Sequence, residues 1–157
     1  MKTIAIPFIL LLGILESCNL YMDKEEEMIY IVNNADFPIH IVATTQYSDT
    51  VFPSVLSENT HRCTAYPQGK GDPLIVYEFL NSSDTITFFI LKEDEVLNHS
   101  WKDISENHSF LSIYVLSKSD ISLLSETKYH KTIPYPPTSA MKNMKLYPSY
   151  EEITKQQ

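Results

Sequence analysis

A short apolar run near the start of the chain decides how much of the sequence is left to fold. It covers Ile4–Leu15, follows the positive Lys2, and is succeeded within three residues by Ser17 and Cys18. A helix that crosses a bilayer needs about 20 apolar residues, so this run is too short to span. A positive start, a short apolar centre and a small residue before the cut are typical of a removed targeting segment. The pattern predicts that residues 1–17 are a signal peptide; the alternative is a buried N-terminal helix or strand.

Cys18 is the predicted attachment point of a lipid. The segment Leu15-Glu16-Ser17-Cys18 resembles the lipobox of bacterial lipoproteins, although Glu16 stands where a small or apolar residue is usual. The resemblance implies cleavage before Cys18, a diacylglyceryl group on its thiol and acylation of the new amine. Each buried CH₂ contributes roughly 0.8 kcal/mol, and stable anchoring takes more than one acyl chain. The alternative is ordinary secretion, with Cys18 as a thiol or in a disulfide.

Residues 18–27 are predicted to be an acidic tether. A composition dominated by carboxylates stays solvated rather than packing into a core. The run also resembles the surface-export signal of Bacteroidetes lipoproteins, which implies an outer-membrane protein exposed at the cell surface. The alternative is a plain solvated spacer. The residues of the run are Asp23, Lys24, Glu25, Glu26 and Glu27.

Composition limits the partners of the chain. The net charge of −8 and the single arginine, Arg62, argue against nucleic acid, because phosphate binding needs a basic patch. The length after residue 17 suits one domain with a real core. Ten tyrosines, seven phenylalanines and only three glycines favour strands.

Cys63 is the only cysteine besides Cys18. If Cys18 carries lipid, Cys63 has no intrachain partner and is predicted to be a buried, inert thiol. A reactive thiol is the alternative, because His61 and Arg62 precede it and could lower its pKa.

The folded part is predicted to be a single α+β domain over residues 28–137. Asparagine-, serine- and aspartate-rich turns at 33–37 and 81–84 predict hairpins between the strands on either side of them. Polar residues predict loops at 46–62 and 66–73. Runs rich in β-branched and aromatic residues predict strands at 28–32, 38–44, 74–80, 85–91, 110–116 and 129–133.

Two serine–aspartate pairs predict the starts of short helices. Ser100 with Asp103 has capping spacing, and a second pair, Ser117 with Asp120, opens a helix that runs through Leu124. The expected fold is mainly an antiparallel β-sheet with two or three short helices packed on one side. Residues 138–157 are polar and are predicted to be a poorly ordered tail.

The order of these segments resembles a group of small Bacteroidetes lipoproteins to which no activity is assigned. The resemblance covers roughly residues 28–137 and implies an address and a fold, but no reaction. It lies in Asn33-Asn34, in Ile86–Leu91 leading into Glu93-Asp94-Glu95, in Trp101–Ile104, in Tyr114–Ser117 with Asp120-Ile121, and in Ile133–Pro136.

No motif in the chain carries a recognised chemistry. There is neither a nucleophile-elbow pattern nor a glycine-rich phosphate loop, and no cofactor is predicted. Trp101 is predicted to be core, with stacking on a sugar or peptide as the alternative. The five histidines lack metal-ligand spacing, so no metal site is predicted, although one assembled in three dimensions stays open. A carboxylate pair for hydrolysis is conceivable, but solvated helix faces and caps are the commoner role. The carboxylates concerned are Asp94, Glu95, Asp103 and Glu106.

Two threonines are candidate O-glycosylation sites. Asp49-Thr50-Val51 and Asp84-Thr85-Ile86 are similar to the Asp-Thr-apolar sites at which Bacteroidetes modify exported proteins, which makes Thr50 and Thr85 the candidates.

The sequence thus predicts a lipid-anchored cell-envelope protein that binds or scaffolds a protein or glycan partner and catalyses no reaction. Its contact with the membrane would be the lipid on Cys18. Two alternatives remain: an envelope hydrolase that uses carboxylates or Cys63, and an immunity or inhibitor-type protein.

Overall fold

Segments rich in β-branched and aromatic residues form the strands, and short segments led by serine or by acidic residues form the helices. The computed structural model describes residues 28–45, 52, 55, 60–75, 83–124 and 130–155. The strands in those ranges are β1 (Met28–Asn33), β2 (Ile39–Thr44), β3 (Thr60–Ala65), β4 (Gly69–Lys70), β5 (Leu74–Ile75), β6 (Thr85–Lys92), β7 (Ser112–Ser117), β8 (His130–Tyr135) and β9 (Lys145–Tyr147). The helices are α1 (Glu93–Asn98), α2 (Trp101–Asn107), α3 (Lys118–Leu123) and α4 (Tyr150–Lys155), and Ser139–Met141 form a 3₁₀ turn.

The larger sheet has five antiparallel strands in the order β3-β2-β6-β7-β9. Its central strand, β6, is buried on both faces, with Ile86, Phe88 and Ile90 on one side and Phe89 and Leu91 on the other. Successive side chains of a strand point to opposite faces. Burial on both faces therefore explains why the second half of β6, Phe88–Leu91, is continuously apolar rather than alternating.

The smaller sheet is built around β1. This strand pairs in parallel with β8 on one edge and antiparallel with β4 and β5 on the other. Ile29 and Ile31 are fully buried, while the alternate residues Met28, Tyr30 and Val32 are half-buried. One face of the small sheet is therefore committed to the core.

The two sheets enclose the main core, and α2 covers the opposite face of the large sheet. Tyr114 of β7 and Ile121 of α3 lie in the main core with the inward residues of both sheets. Ile104 of α2 and Phe52 pack with Phe89 in a second core on the helix-facing side. The predicted α+β class with a dominant antiparallel sheet is confirmed.

Both helix starts predicted from serine–aspartate spacing are confirmed. Ser100 accepts the Asp103 backbone N–H at 3.2 Å, and the Asp103 carboxylate accepts the Ser100 N–H in return. Ser117 and Asp120 make the same reciprocal pair at the start of α3. These bonds satisfy backbone donors that a helix start leaves without partners.

The predicted hairpin between the first two strands is wrong. β1 and β2 lie in different sheets, and β1 takes β8 as its long partner instead. Two hydrogen bonds fix the segment that connects β1 to β2. The Asn34 N–H donates to the Tyr135 carbonyl at 2.7 Å, and Asn33 Nδ2 donates to the Ala65 carbonyl at 2.9 Å. In the second predicted hairpin, β5 belongs to the small sheet and β6 to the large one, while residues 76–82 lie outside the described ranges.

Three regions that were predicted to be irregular contain regular structure. Residues 60–62 belong to β3, and Gly69–Lys70 form β4 within the predicted loop 66–73. The expected C-terminal tail carries a 3₁₀ turn, β9 and α4. The C-terminal segment is ordered because two of its apolar side chains, Met141 and Leu146, are buried in the main core.

Candidate functional site

An open groove lies between the outer side of the small sheet and the end of α3. Val32 of β1 and its register neighbour Pro134 of β8 contribute the floor together with Thr132. Leu123 and Leu124 at the end of α3 also line the groove, which has a volume of about 350 Å³. Its remaining lining residues are Asn34, Thr138 and Ala140.

The groove offers apolar contact with a few hydrogen-bonding groups. Leu123 lines the concavity and is 76% exposed. Thr132, Asn34 and Thr138 supply hydroxyl and amide groups, and no described lining residue is titratable. Apolar walls with a small number of polar groups are typical of binding sites. This chemistry suits recognition rather than proton transfer.

Cys63 lies in the main core, as its lack of a partner predicted. It is 5% exposed, and a side chain added at Gly71 would meet its Sγ at 3.2 Å. Burial, with the negative charge of Asp72, raises the pKa of the Cys63 thiol to about 12. The thiol is therefore protonated at neutral pH and is no nucleophile there. His61 and Arg62 do not activate it.

The carboxylates considered for hydrolysis lie on helix surfaces, and three of the four interact with neighbouring side chains there. Glu95 lies 3.3 Å from His99, and Glu106 lies 3.8 Å from Lys102. Hydrogen bonds from the Ser100 side chain and backbone lower the pKa of Asp103. Asp94 is exposed on α1. These residues cap a helix or lie on solvent-facing helix surfaces, and none of them lines the groove.

The histidines are dispersed over the described part of the fold. Within the described ranges, no group of three or more His, Cys, Asp or Glu residues could hold an ion. The rings have separate surroundings: His130 packs edge-on to Tyr30, His108 lies near Phe110, and His40 lies near Trp101.

Trp101 joins a cluster of aromatic rings on the helix-facing side of the large sheet. The ring of Phe52 lies 5.8 Å from that of Trp101, 4.9 Å from Phe89 and 5.0 Å from Phe110. This packing agrees with the core role predicted for Trp101. The contact with His40, 61 positions earlier in the chain, had no local signal in the sequence.

Most of the sequence-predicted site residues lie outside the described ranges. These are Cys18, the acidic run Asp23–Glu27 and Thr50. Thr85 is described: it is the first residue of β6, half-buried and opposite Ser117 of β7. The adjoining Asp84 is almost fully exposed and lies 3.6 Å from Lys118. The groove residues Leu123 and Thr132 were not predicted.

Every helix in the described ranges falls short of the length and hydropathy needed to cross a bilayer. Compared with protein-family models, with curated proteins and with solved structures, the chain matches none of them.

Proposed function

We propose that this chain is a lipid-anchored cell-envelope protein whose folded domain binds or scaffolds a partner. The observation that carries the proposal is the pattern of residues 1–18, in which a short apolar run ends at Cys18. Apolar side chains in such a run suit export machinery, and a cysteine at its end suits lipid attachment. Two or three acyl chains would hold the protein at a membrane without a spanning helix.

The tether between Cys18 and Met28 supports the same proposal. The first described strand, β1, starts at Met28, directly after the acidic run in the sequence. An extended chain covers about 3.3–3.6 Å per residue, so residues 18–27 would keep the domain within about 35 Å of the lipid. A run dominated by carboxylates favours solvation over packing, and its likeness to an export signal supports the outer-membrane surface as the location.

The groove supports a binding role for the domain. Val32 and Asn34 line it at the far end of β1, whereas the tether enters at Met28. A partner protein or glycan would therefore meet the groove on the part of β1 farthest from the anchor. An immunity or inhibitor-type protein would be one form of this binding function.

A hydrolase receives less support. The described groove residues carry no acid or base, and the pKa of about 12 keeps the Cys63 thiol protonated. Three of the four candidate carboxylates on the helices are engaged in a cap or in surface pairs. General acid–base chemistry needs such groups within hydrogen-bond reach of a substrate.

The decisive variant is Cys18→Ala. The full chain is expressed in a bacterium that processes lipoproteins, fed with an alkyne-labelled fatty acid, and fractionated. We expect the wild type in the membrane fraction with label, and Cys18→Ala unlabelled and released from that fraction. Cys63→Ala is the matched control, because it removes the other thiol and should keep both the label and the location.

A Cys18→Ala protein that remains labelled and membrane-bound would overturn the anchor. The intact mass of the purified wild type also tests the proposed O-glycosylation, since sugar on Thr50 or Thr85 would add hexose-sized increments. A mass equal to the lipidated polypeptide alone would contradict glycosylation while leaving the anchor intact.

A further inference from the structure

His40 occupies an unusual position under the helical layer. It lies on β2 with its ring 6.1 Å from that of Trp101 on α2, at an interplanar angle of 36°. Its Nδ1 lies 3.2 Å from the Thr64 hydroxyl on the neighbouring strand β3. Its Nε2 is buried and has no hydrogen-bond partner among the residues that the structure describes. One nitrogen of this imidazole therefore has a described hydrogen-bond partner, and the other is buried without one.

No described carboxylate pairs with His40. On α1, Glu95 is engaged with His99, and on α2, Asp103 is engaged with Ser100. Arg62 on β3 is the charged neighbour that acts on it, and that charge is positive. The other charged groups on the surrounding elements are Lys92 on β6, which lies over the Phe37 ring, Glu93 and Asp94 on α1, and the Lys102–Glu106 pair on α2.

We infer that His40 makes the packing of α2 on the large sheet pH-sensitive, so that its protonation loosens the contact at Trp101. An imidazolium at this site would carry a buried Nε2–H without an acceptor, beside a like charge on Arg62. A buried unpaired charge is costly, and the protein relieves that cost by neutralising it or by exposing it to water. Attraction between an imidazolium and the indole opposes this cost, but the ring separation of 6.1 Å lies at the limit of about 6 Å within which that attraction acts.

The direction of the pH effect follows from linkage. Burial, and then the charge of Arg62, lower the pKa of His40 from its ordinary value of 6.5. The unfolded chain therefore binds more protons than the folded one just below that pH. The contribution of His40 to the free energy of unfolding is fully present above about pH 6.5. It falls as the pH drops toward the pKa of His40 in the folded state. The same titration favours a state in which α2 has moved off His40.

Trp101 is the only tryptophan in the chain, so its fluorescence reports this contact directly. The full chain, purified in detergent, is titrated from pH 8 to pH 4.5 while the Trp101 emission maximum and the melting temperature are recorded. We expect a reversible shift to longer wavelength with a midpoint below the ordinary histidine value. In His40→Phe the shift should vanish. In Arg62→Gln the midpoint should move to higher pH, because the repelling charge is gone.

His99→Gln is the matched control, since His99 is close to Trp101 in sequence but exposed. It should leave the transition unchanged. The inference is overturned if wild-type emission is flat across the range, if the transition persists in His40→Phe, or if His99→Gln abolishes it. If His40→Phe fails to fold, His40→Gln takes its place and should likewise abolish the transition. A midpoint that does not move in Arg62→Gln also contradicts the inference.

Discussion

At the scale of single residues, one buried amide determines how the chain passes between the two sheets. Asn33 is fully buried, and its Nδ2 donates to the Phe37 carbonyl at 2.8 Å and to the Ala65 carbonyl at 2.9 Å. Its Oδ1 accepts the Ala35 N–H at 2.9 Å. The turn chemistry of this segment was predictable. The bond to Ala65 was not, because its partner is 32 residues away in the sequence.

Replacing Asn33 should destabilise the protein markedly. Asn33→Ala leaves two carbonyl oxygens and one N–H without their partners at a mostly buried site, and each unsatisfied buried group costs about 1–3 kcal/mol. We expect the free energy of unfolding to fall by about 2–4 kcal/mol in chemical denaturation, less than three full penalties, because the bonds to Phe37 and Ala35 are only partly buried.

The neighbouring Asn34→Ala is the control for this substitution. Asn34 is exposed, and its hydrogen bonds to Tyr135 and Gln68 use its backbone atoms, so we expect a change within about 0.5 kcal/mol. Equal effects of the two substitutions would show that the amide of Asn33 does not join the sheets.

At the scale of elements, local signals located the helices and strands but not their partners. Ser100 and Ser117 marked helix starts correctly because a capping box depends only on residues three apart. The run 85–91 was correctly predicted as a strand because it is β-branched and aromatic. Pairing is a long-range property: β1 and β8 are separated by most of the domain, and nothing in either strand specifies the other.

The cap of α3 gives a prediction at this scale. Ser117 Oγ accepts the Asp120 N–H at 3.2 Å, and the Asp120 carboxylate accepts the Ser117 N–H at 2.8 Å. Ser117→Ala should lower the free energy of unfolding by about 1 kcal/mol, because the helix start loses its hydroxyl acceptor.

Ser122→Ala tests whether any serine of α3 has this effect. Ser122 is exposed inside the helix and its hydroxyl donates back to the Lys118 carbonyl at 2.8 Å. Such back-bonding contributes little, so we expect a change within about 0.5 kcal/mol in the same denaturation experiment. A loss at Ser122 as large as that at Ser117 would contradict the capping role.

At the scale of the whole molecule, the unpredicted features all arise where distant segments meet. The groove joins β1, α3, β8 and the residues after β8, and the His40 contact joins β2 to α2. The α+β class could be predicted because composition and periodicity are averaged over many residues. Sites depend on a few particular contacts, and periodicity does not report those.

The C-terminal segment shows how few apolar residues can integrate a polar stretch into the fold. Residues 138–157 are mostly polar, which predicted a tail. Leu146 is nevertheless 5% exposed and stands opposite Tyr114 in the register of β9 with β7. Met141 is fully buried in the same core. Two well-placed side chains thus add an edge strand to the large sheet.

If that edge strand stabilises the whole domain, Leu146→Ala should act far beyond the C-terminus. Removing a buried leucine side chain costs about 2–5 kcal/mol, and thermal unfolding should remain a single transition at lower temperature. Lys145→Ala, at the exposed neighbouring position, should change stability by about 0.5 kcal/mol or less. If Leu146→Ala were as mild as Lys145→Ala, residues 138–157 would be the dispensable tail that their polarity suggests. A large loss for Leu146→Ala alone would mean that the domain extends through β9.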